Sequence, residues 1–434
     1  MQRLKVGLIN PDGGGGGINR FYRELFEALS ANADCHLIVS DPFASTKKIK
    51  DPQKGSDGIE TLFALPQVAR MLAAANEAWQ EAKRLELDII EVCDWPLGFV
   101  PAVLDQSVPY VVQCHGSMGQ VAQHDPQRGQ ELEASVIQML EPQLLAAAHS
   151  VQSLSSSNVH FWERMTGCRV SMIRPAFALP DLPDDAESVS QAAAVFGRLQ
   201  RWKGPHILCA ALRKLGSAAP AVNWYGAVNP WQSSDWPADK RLATDFPDVW
   251  GVHLHHRMAV PRDVVTKIQA RALFNLAPST WDVFNFTAVE SMAAARPTIV
   301  SMGAGASELI IDGESGFLFE NENPSSLADA IERVLVLSES RRREIGYAGR
   351  ETIRKELGPE RIAQQRLAAY DQAIRAFRES PPPKLNPWLA HLLTLRPERR
   401  LDPGALLELI PMRAIAGHMK DRLLRKLGWN RRWT

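Results

Sequence analysis

Residues 271–319 read RALFNLAPSTWDVFNFTAVESMAAARPTIVSMGAGASELIIDGESGFLF, and this stretch decides the fold. ALFNLAP is a short apolar strand that runs into the polar turn Ser279-Thr280-Trp281-Asp282. Phe286, Val289, Met292 and Ala293 then recur at helical spacing. Pro297 ends that helix and starts a second strand, PTIVSM, which delivers the chain into the loop Gly303-Ala304-Gly305. Strand, turn, helix and strand form one unit of a parallel α/β sheet. Asp282 sits in the turn and Glu290 eight positions later in the helix. Both fall at the carboxyl end of a strand, where open α/β sheets bind ligands.

Working outward, the same alternation fills the chain. KVGLIN is the first strand, followed by Pro11-Asp12, five glycines (Gly13 to Gly17) and a helix from Ile18. Its apolar stripe is Ile18, Phe21, Tyr22, Leu25, Phe26 and Leu29. Bare backbone N–H groups before a helix can cradle an anion. The dinucleotide fingerprint does not fit, because Ile18 and Asn19 stand where its third glycine belongs. CHLIVS, DIIEVCD, PYVVQCHGS, SVQSLS and RVSMIRP continue the strands of this half, with helices expected over about 66–87 and 126–148 and a polar loop over 43–60. Asp94 and His115 each end one of these strands. Residues 179–191, LPDLPDDAESVSQ, form a linker. The second half restarts with AAAVF, then Gly197-Arg198, and Lys203-Gly204 opens a helix. An Arg fork, a Lys point charge and a helix N-terminus together suit a diphosphate. AVNWYGAV is the next strand, followed by the Trp- and Pro-rich stretch 229–248.

The run Pro278-Ser279, Asp282, Glu290, Met292-Ala293, Pro297 resembles the signature of retaining glycosyltransferase family 4, which has the GT-B fold. GASELIIDGESGFLF is similar to the pattern that follows it there, and Gly197-Arg198-Leu199 with Lys203-Gly204 resembles the family's donor diphosphate motif. The resemblance covers roughly 1–378. It implies two facing doubly wound α/β domains, 1–180 on the acceptor side and 191–378 on the nucleotide-sugar side, with helix 358–378 crossing back to the first. It also implies a hexosyltransferase that takes a UDP-sugar, or next GDP-mannose, as donor and a glycan or glycolipid as acceptor, with retention and without a metal. Polysaccharide or lipopolysaccharide biosynthesis at the bacterial surface is the commonest setting. Asp282 would meet sugar hydroxyls and Glu290 the ribose. Arg198 and Lys203 would hold the diphosphate, and His115 would lie near the sugar. Gly15, Gly16, Gly17, Phe284 and Asn285 would line the donor. Two departures stand out: the first acid of the family is usually Glu, and the Asn-Gly that often ends the first half is replaced by Arg174-Pro175-Ala176-Phe177.

Composition fits a soluble globular protein of two or three domains, with 45% hydrophobic and 23% charged residues over 434 positions. Equal counts of 49 basic and 49 acidic residues give no global charge, which argues against a nucleic-acid partner. Five widely spaced cysteines without a CxxC suggest buried reduced thiols in a cytoplasm. No apolar run reaches membrane-spanning length and no signal peptide is expected. His253, His255 and His256 lack a companion carboxylate or Cys at ligand spacing, and no DxD occurs, so no metal or cofactor is expected. PPPKLNP at 381–387 stops regular structure, and the extension 381–434 is basic, with eleven cations and four acids from 384 on. It suits peripheral contact with an anionic membrane or packing on the protein itself or on a second copy in a homodimer. A nucleotide-sugar epimerase on the same fold and a non-catalytic scaffold in a polysaccharide assembly are the rival functions.

Overall fold

The computed structural model describes residues 3–14, 16–41, 66–125, 132–183, 189–231 and 236–380, with scattered positions between 412 and 423. Gly15, the loop expected over 43–60 and most of the extension 381–434 lie outside the described residues. The first sheet holds β1 (Lys5–Asn10), β2 (Asp34–Val39), β3 (Ile89–Cys93), β4 (Tyr110–Cys114), β5 (Val151–Ser153) and β6 (Ser171–Met172). The second holds β7 (Ala192–Phe196), β8 (Ala221–Tyr225), β9 (Leu254–Arg257), β10 (Asn275–Ala277), β11 (Thr298–Ser301) and β12 (Phe317–Phe319). Every pairing within both sheets is parallel. This is the two-domain GT-B architecture.

Strand order explains which residues are apolar. The first sheet runs β2-β1-β3-β4-β5-β6 and the second β12-β11-β10-β7-β8-β9. Central strands covered on both faces read as unbroken buried runs, as in IIEVC and YVVQC, where all five residues are buried. RVSMIRP lies at a sheet edge, and its regular pairing shrinks to the exposed pair Ser171–Met172. The helix expected over 126–148 spans Leu132–Ala146, and a separate helix, Met118–His124, precedes it. Its start is set by a reciprocal capping box between Ser117 and Gln120.

Each order reverses once, and those reversals position the site. In the first sheet the reversal lies between β1 and β3, in the second between β7 and β10. The glycine loop follows β1 and Asp94 follows β3; Arg198 and Lys203 follow β7 and Asp282 follows β10. The two halves share one apolar cluster, in which Phe21, Tyr22 and Leu25 join Phe284, Val289, Met292 and Tyr370. Each fully buried side chain of this size contributes on the order of 1.5–3 kcal/mol, against about 0–1 for an exposed ion pair, so apolar burial dominates the junction. Polar contacts give it register. Ser155 Oγ donates to the Val283 carbonyl at 2.7 Å. Glu308 accepts from Ser156 N at 3.1 Å and Ser157 N at 3.2 Å, so a carboxylate from one half caps helix Ser156–Thr166 of the other.

The helix Pro359–Glu379 lies against helix Gly17–Ser30 of the first half. Arg366, fully buried on it, donates to Glu91 at 2.9 Å and to Gln152 Oε1 at 2.7 Å, and Tyr370 donates to the same Glu91 oxygen at 2.6 Å. The five cysteines are free thiols; Cys93, Cys114 and Cys209 are buried, while Cys35 and Cys168 are only half-buried. No helix among the described residues is long and apolar enough to cross a membrane. Arg366→Ala would leave the Glu91 carboxylate buried without its cation. Urea unfolding is expected to show a loss of about 3–5 kcal/mol, and a change below about 0.5 kcal/mol would contradict this role.

Candidate active site

The second half builds its side of the cleft from two loops stitched across the β7/β10 reversal. After β7 the chain passes Gly197 at φ +142° and exposed Arg198, makes a turn of 3-10 helix over Arg201–Lys203, and enters helix Pro205–Leu215 through Gly204. Gly204 has φ +78°, and a Cβ there would stand 1.9 Å from the Pro278 carbonyl oxygen. Only glycine allows the loops this close. Thr280 N donates to the Trp202 carbonyl at 2.9 Å, and Lys203 Nζ donates to Asp282 Oδ2 at 2.6 Å. The ammonium also lies 4.3 Å from the Trp202 ring centroid. Asp282 is held in turn by backbone: its carbonyl accepts from Gly305 N at 3.0 Å, and its N–H donates to the Gly303 carbonyl at 3.2 Å.

Glu290 projects from helix Phe286–Ala293 to the other half of the molecule, where it pairs with Arg20 of helix Gly17–Ser30. Burial pushes its carboxyl above the ordinary range, and the Arg20 guanidinium draws it back. Phe284 is 2% exposed in the shared core. Asn285 sits at φ +74° and caps the helix, its side chain accepting from Ala288 N at 3.1 Å and donating to Ser279 Oγ at 3.1 Å. The side chains of Phe284 and Asn285 thus serve the fold, which leaves backbone as their contribution to a ligand site.

On the facing side, the glycine loop is folded on its own polar residues. Asp12 Oδ1 accepts from Gly14 N at 2.8 Å, Asn10 Nδ2 donates to Asn19 Oδ1 at 2.9 Å, and Asn19 Nδ2 donates to the Gly14 carbonyl. Gly16 and Gly17 are exposed at the helix start, with Gly16 as the N-cap residue. Buried Asp94 accepts from His115 N at 2.8 Å and Gly116 N at 3.2 Å, and so fixes the turn after β4. Burial raises its pKa to about 6, an effect those N–H bonds oppose. The His115 ring packs edge-on against Phe21 with centroids 4.4 Å apart, and its Nε2 is buried without a hydrogen-bond partner. Burial pulls its pKa down to about 3, so the imidazole is neutral at physiological pH.

Several contributors escaped the sequence reading. Arg20 is 270 residues from its partner and lies beside the apolar stripe of its helix. Trp281 stacks on His124 across the cleft, 4.3 Å between centroids and 7° between planes, and a Cβ at Gly116 would come within 3.2 Å of that indole. Fully buried Glu141 accepts from Ser117 Oγ and from Gly119 N at 2.9 Å, anchoring the helix after the His115 turn. Of the three histidines at 253–256, His256 has a ring nitrogen 2.8 Å from the Gly226 carbonyl oxygen. Among the described residues no group of three His, Cys, Asp or Glu side chains is placed to hold a metal.

Known proteins resemble this chain in both sequence and fold. Residues 191–336 match the sequence model of the family Glycosyl transferases group 1. Spore coat protein SA of Bacillus subtilis is 25% identical over 314 residues, covering 67% of this chain and 80% of that protein. The fold is similar to sucrose-phosphate synthase from Thermosynechococcus elongatus (TM-score 0.68, 22% identity, 87% of this chain and 100% of that one). It is also similar to HepE of Anabaena, solved with UDP and glucose (TM-score 0.63, 15% identity, 85% and 100%).

Burial raises the pKa of Glu141 to about 8, so the folded chain keeps a proton there that an unfolded glutamic acid gives up above about pH 4.3. The neutral acid's contribution to stability is therefore complete below that value and is lost as pH rises toward 8. Glu141→Gln removes this slope. Unfolding free energies measured from pH 4.5 to 8 should show the wild type losing stability relative to the variant; parallel curves would contradict the assignment.

Proposed function

From the premise that this chain is a glycosyltransferase of the GT-B fold, we propose that it is a retaining, family 4 enzyme. It moves a hexose from a nucleoside-diphosphate sugar, a UDP-sugar before GDP-mannose, to a glycan or glycolipid. The observation that carries this reading is the Lys203–Asp282 contact at the β7/β10 reversal, in the loop that also bears Arg198 and leads into helix Pro205–Leu215. A departing nucleoside diphosphate needs concentrated positive charge, and two cations with a helix N-terminus supply it without a metal. Lys203 has three N–H donors, so it can keep Asp282 and still donate to a phosphate oxygen. The acid beside it can then accept from sugar hydroxyls, and Glu290 from the ribose. That HepE was solved with UDP and glucose on the same fold supports a nucleotide-sugar in this cleft.

Asp94 and neutral His115 shape the acceptor side. Neutral His115, packed on Phe21 at the end of β4, serves as a wall of the sugar site and not as a proton store. The carboxylate that faces the sugar, Asp282, is already bonded to Lys203, so we read the reaction as front-face attack. The acceptor oxygen bonds to the anomeric carbon on the face the diphosphate leaves, and a diphosphate oxygen takes the acceptor's proton.

Thermal-shift screening with UDP-, GDP- and ADP-sugars, followed by mass spectrometry of products, tests the activity. Stabilisation and a glycosylated acceptor are expected; an isomerised sugar without transfer means an epimerase, and no stabilisation by any of them means a scaffold. Arg198→Ala and Lys203→Ala should each lower turnover by about 10²–10³-fold. Near-normal turnover in either variant would remove that cation from the mechanism.

A further inference from the structure

Four charges of alternating sign link the two halves of the molecule. Arg262, on the second half, reaches Glu24 on the first at 3.3 Å; Glu24 pairs with Arg20 at 3.1 Å; and Arg20 pairs with Glu290 back on the second half. Arg20 is held on several sides. Its Nε and Nη2 both donate to Glu24 Oε1, its guanidinium lies 4.2 Å from the Phe177 ring centroid, and its side chain is only 10% exposed. Glu24 is itself fixed, because its second oxygen accepts from Ala178 N at 2.8 Å. The fork that remains, Nη1, is directed at Glu290 Oε1.

Glu290 is less enclosed. Its side chain keeps 23% of its exposure, and among the described residues Arg20 bonds to one carboxylate oxygen and nothing bonds to the other. A carboxylate offers about four acceptor positions, so a guanidinium on one oxygen leaves the second able to accept hydroxyl groups. Fixing the first oxygen fixes the direction of the second. An ion pair that served only to join the halves would gain from closing over both oxygens, as bidentate Arg–carboxylate pairs do.

We propose that Arg20 is a positioning residue for donor recognition: reaching from the acceptor-side half, it orients the Glu290 carboxylate so that its open oxygen accepts from the hydroxyls of the donor's ribose. This rests on the reading that Glu290 meets the ribose. Arg20 and Glu290 belong to opposite halves, so the ribose is fully recognised only when the cleft is closed, and recognition is thereby tied to assembly of the site.

The test compares binding of UDP and 2′,3′-dideoxy-UDP by calorimetry in the wild type, Arg20→Gln and Arg20→Lys, with the matching guanosine pair run in parallel. Hydrogen bonds to an ordered carboxylate predict that the wild type binds the ribonucleotide about tenfold or more tightly. Arg20→Gln should bring the two nucleotides within about threefold of each other, chiefly by weakening the ribonucleotide. Arg20→Lys, which keeps the charge but not the fork, should fall between. If Arg20→Gln does not fold, a lowered ratio in Arg20→Lys supports the proposal and a wild-type ratio overturns it. Equal weakening of both nucleotides would make Arg20 merely structural and overturn it. A wild type that fails to discriminate, or binds neither pair, would instead sink the placement of ribose at Glu290.

Discussion

The contact between Lys203 and Asp282 is the constraint from which the rest of the cleft follows. Those residues belong to loops that leave neighbouring strands in opposite senses of the sheet order, and the 2.6 Å bond closes the gap between them. Holding it requires backbone as close as Gly204 to the Pro278 carbonyl, a left-handed glycine, and the Thr280–Trp202 hydrogen bond. The result is a cation and an anion, each about one-fifth exposed, set beside a helix N-terminus. A site of this kind can receive a ligand that carries phosphate at one end and hydroxyls at the other.

The facing half completes the site by packing first and by charge second. Phe21, Tyr22 and Leu25 meet Phe284, Val289 and Met292 in a common core, while Arg20 and Glu24 meet Glu290 and Arg262 at its margin. Apolar burial sets how strongly the halves adhere, and the charged residues set their register. The turn holding His115 is tied by Asp94 and, one step further, by Glu141 through Ser117 and Gly119. Trp281 then spans to His124, so an aromatic pair lies over the end of β4.

Local patterns in the sequence carried the architecture a long way. Unbroken apolar runs such as IIEVC marked central strands, and helical spacing at 286, 289, 292 and 293 marked the helix that bears Glu290. The Gly-Arg and Lys-Gly pairs announced the β7 loop because glycine and cations at a strand end have a local cause. What stayed hidden depends on contacts between distant positions. Nothing near Arg20 indicates that its partner lies 270 residues away. Glu141 sits in a helix of ordinary composition, and only its burial against the Ser117 turn reveals it. The Trp281–His124 stack joins two halves whose mutual placement no local pattern encodes. The short helix Met118–His124 was missed where a strand reading ran on to Ser117, although its capping box is written in Ser117 and Gln120. Nor does local sequence show that Asp282 and Glu290 are each met by a cation, Lys203 and Arg20.

The most direct measurement is a crystal structure of the chain with a UDP-sugar bound. The pyrophosphate is expected within hydrogen-bond distance of Arg198 and Lys203 at the start of helix Pro205–Leu215, the hexose over Asp282, and the ribose on Glu290. A nucleotide seated away from the β7/β10 reversal, with those residues untouched, would contradict it.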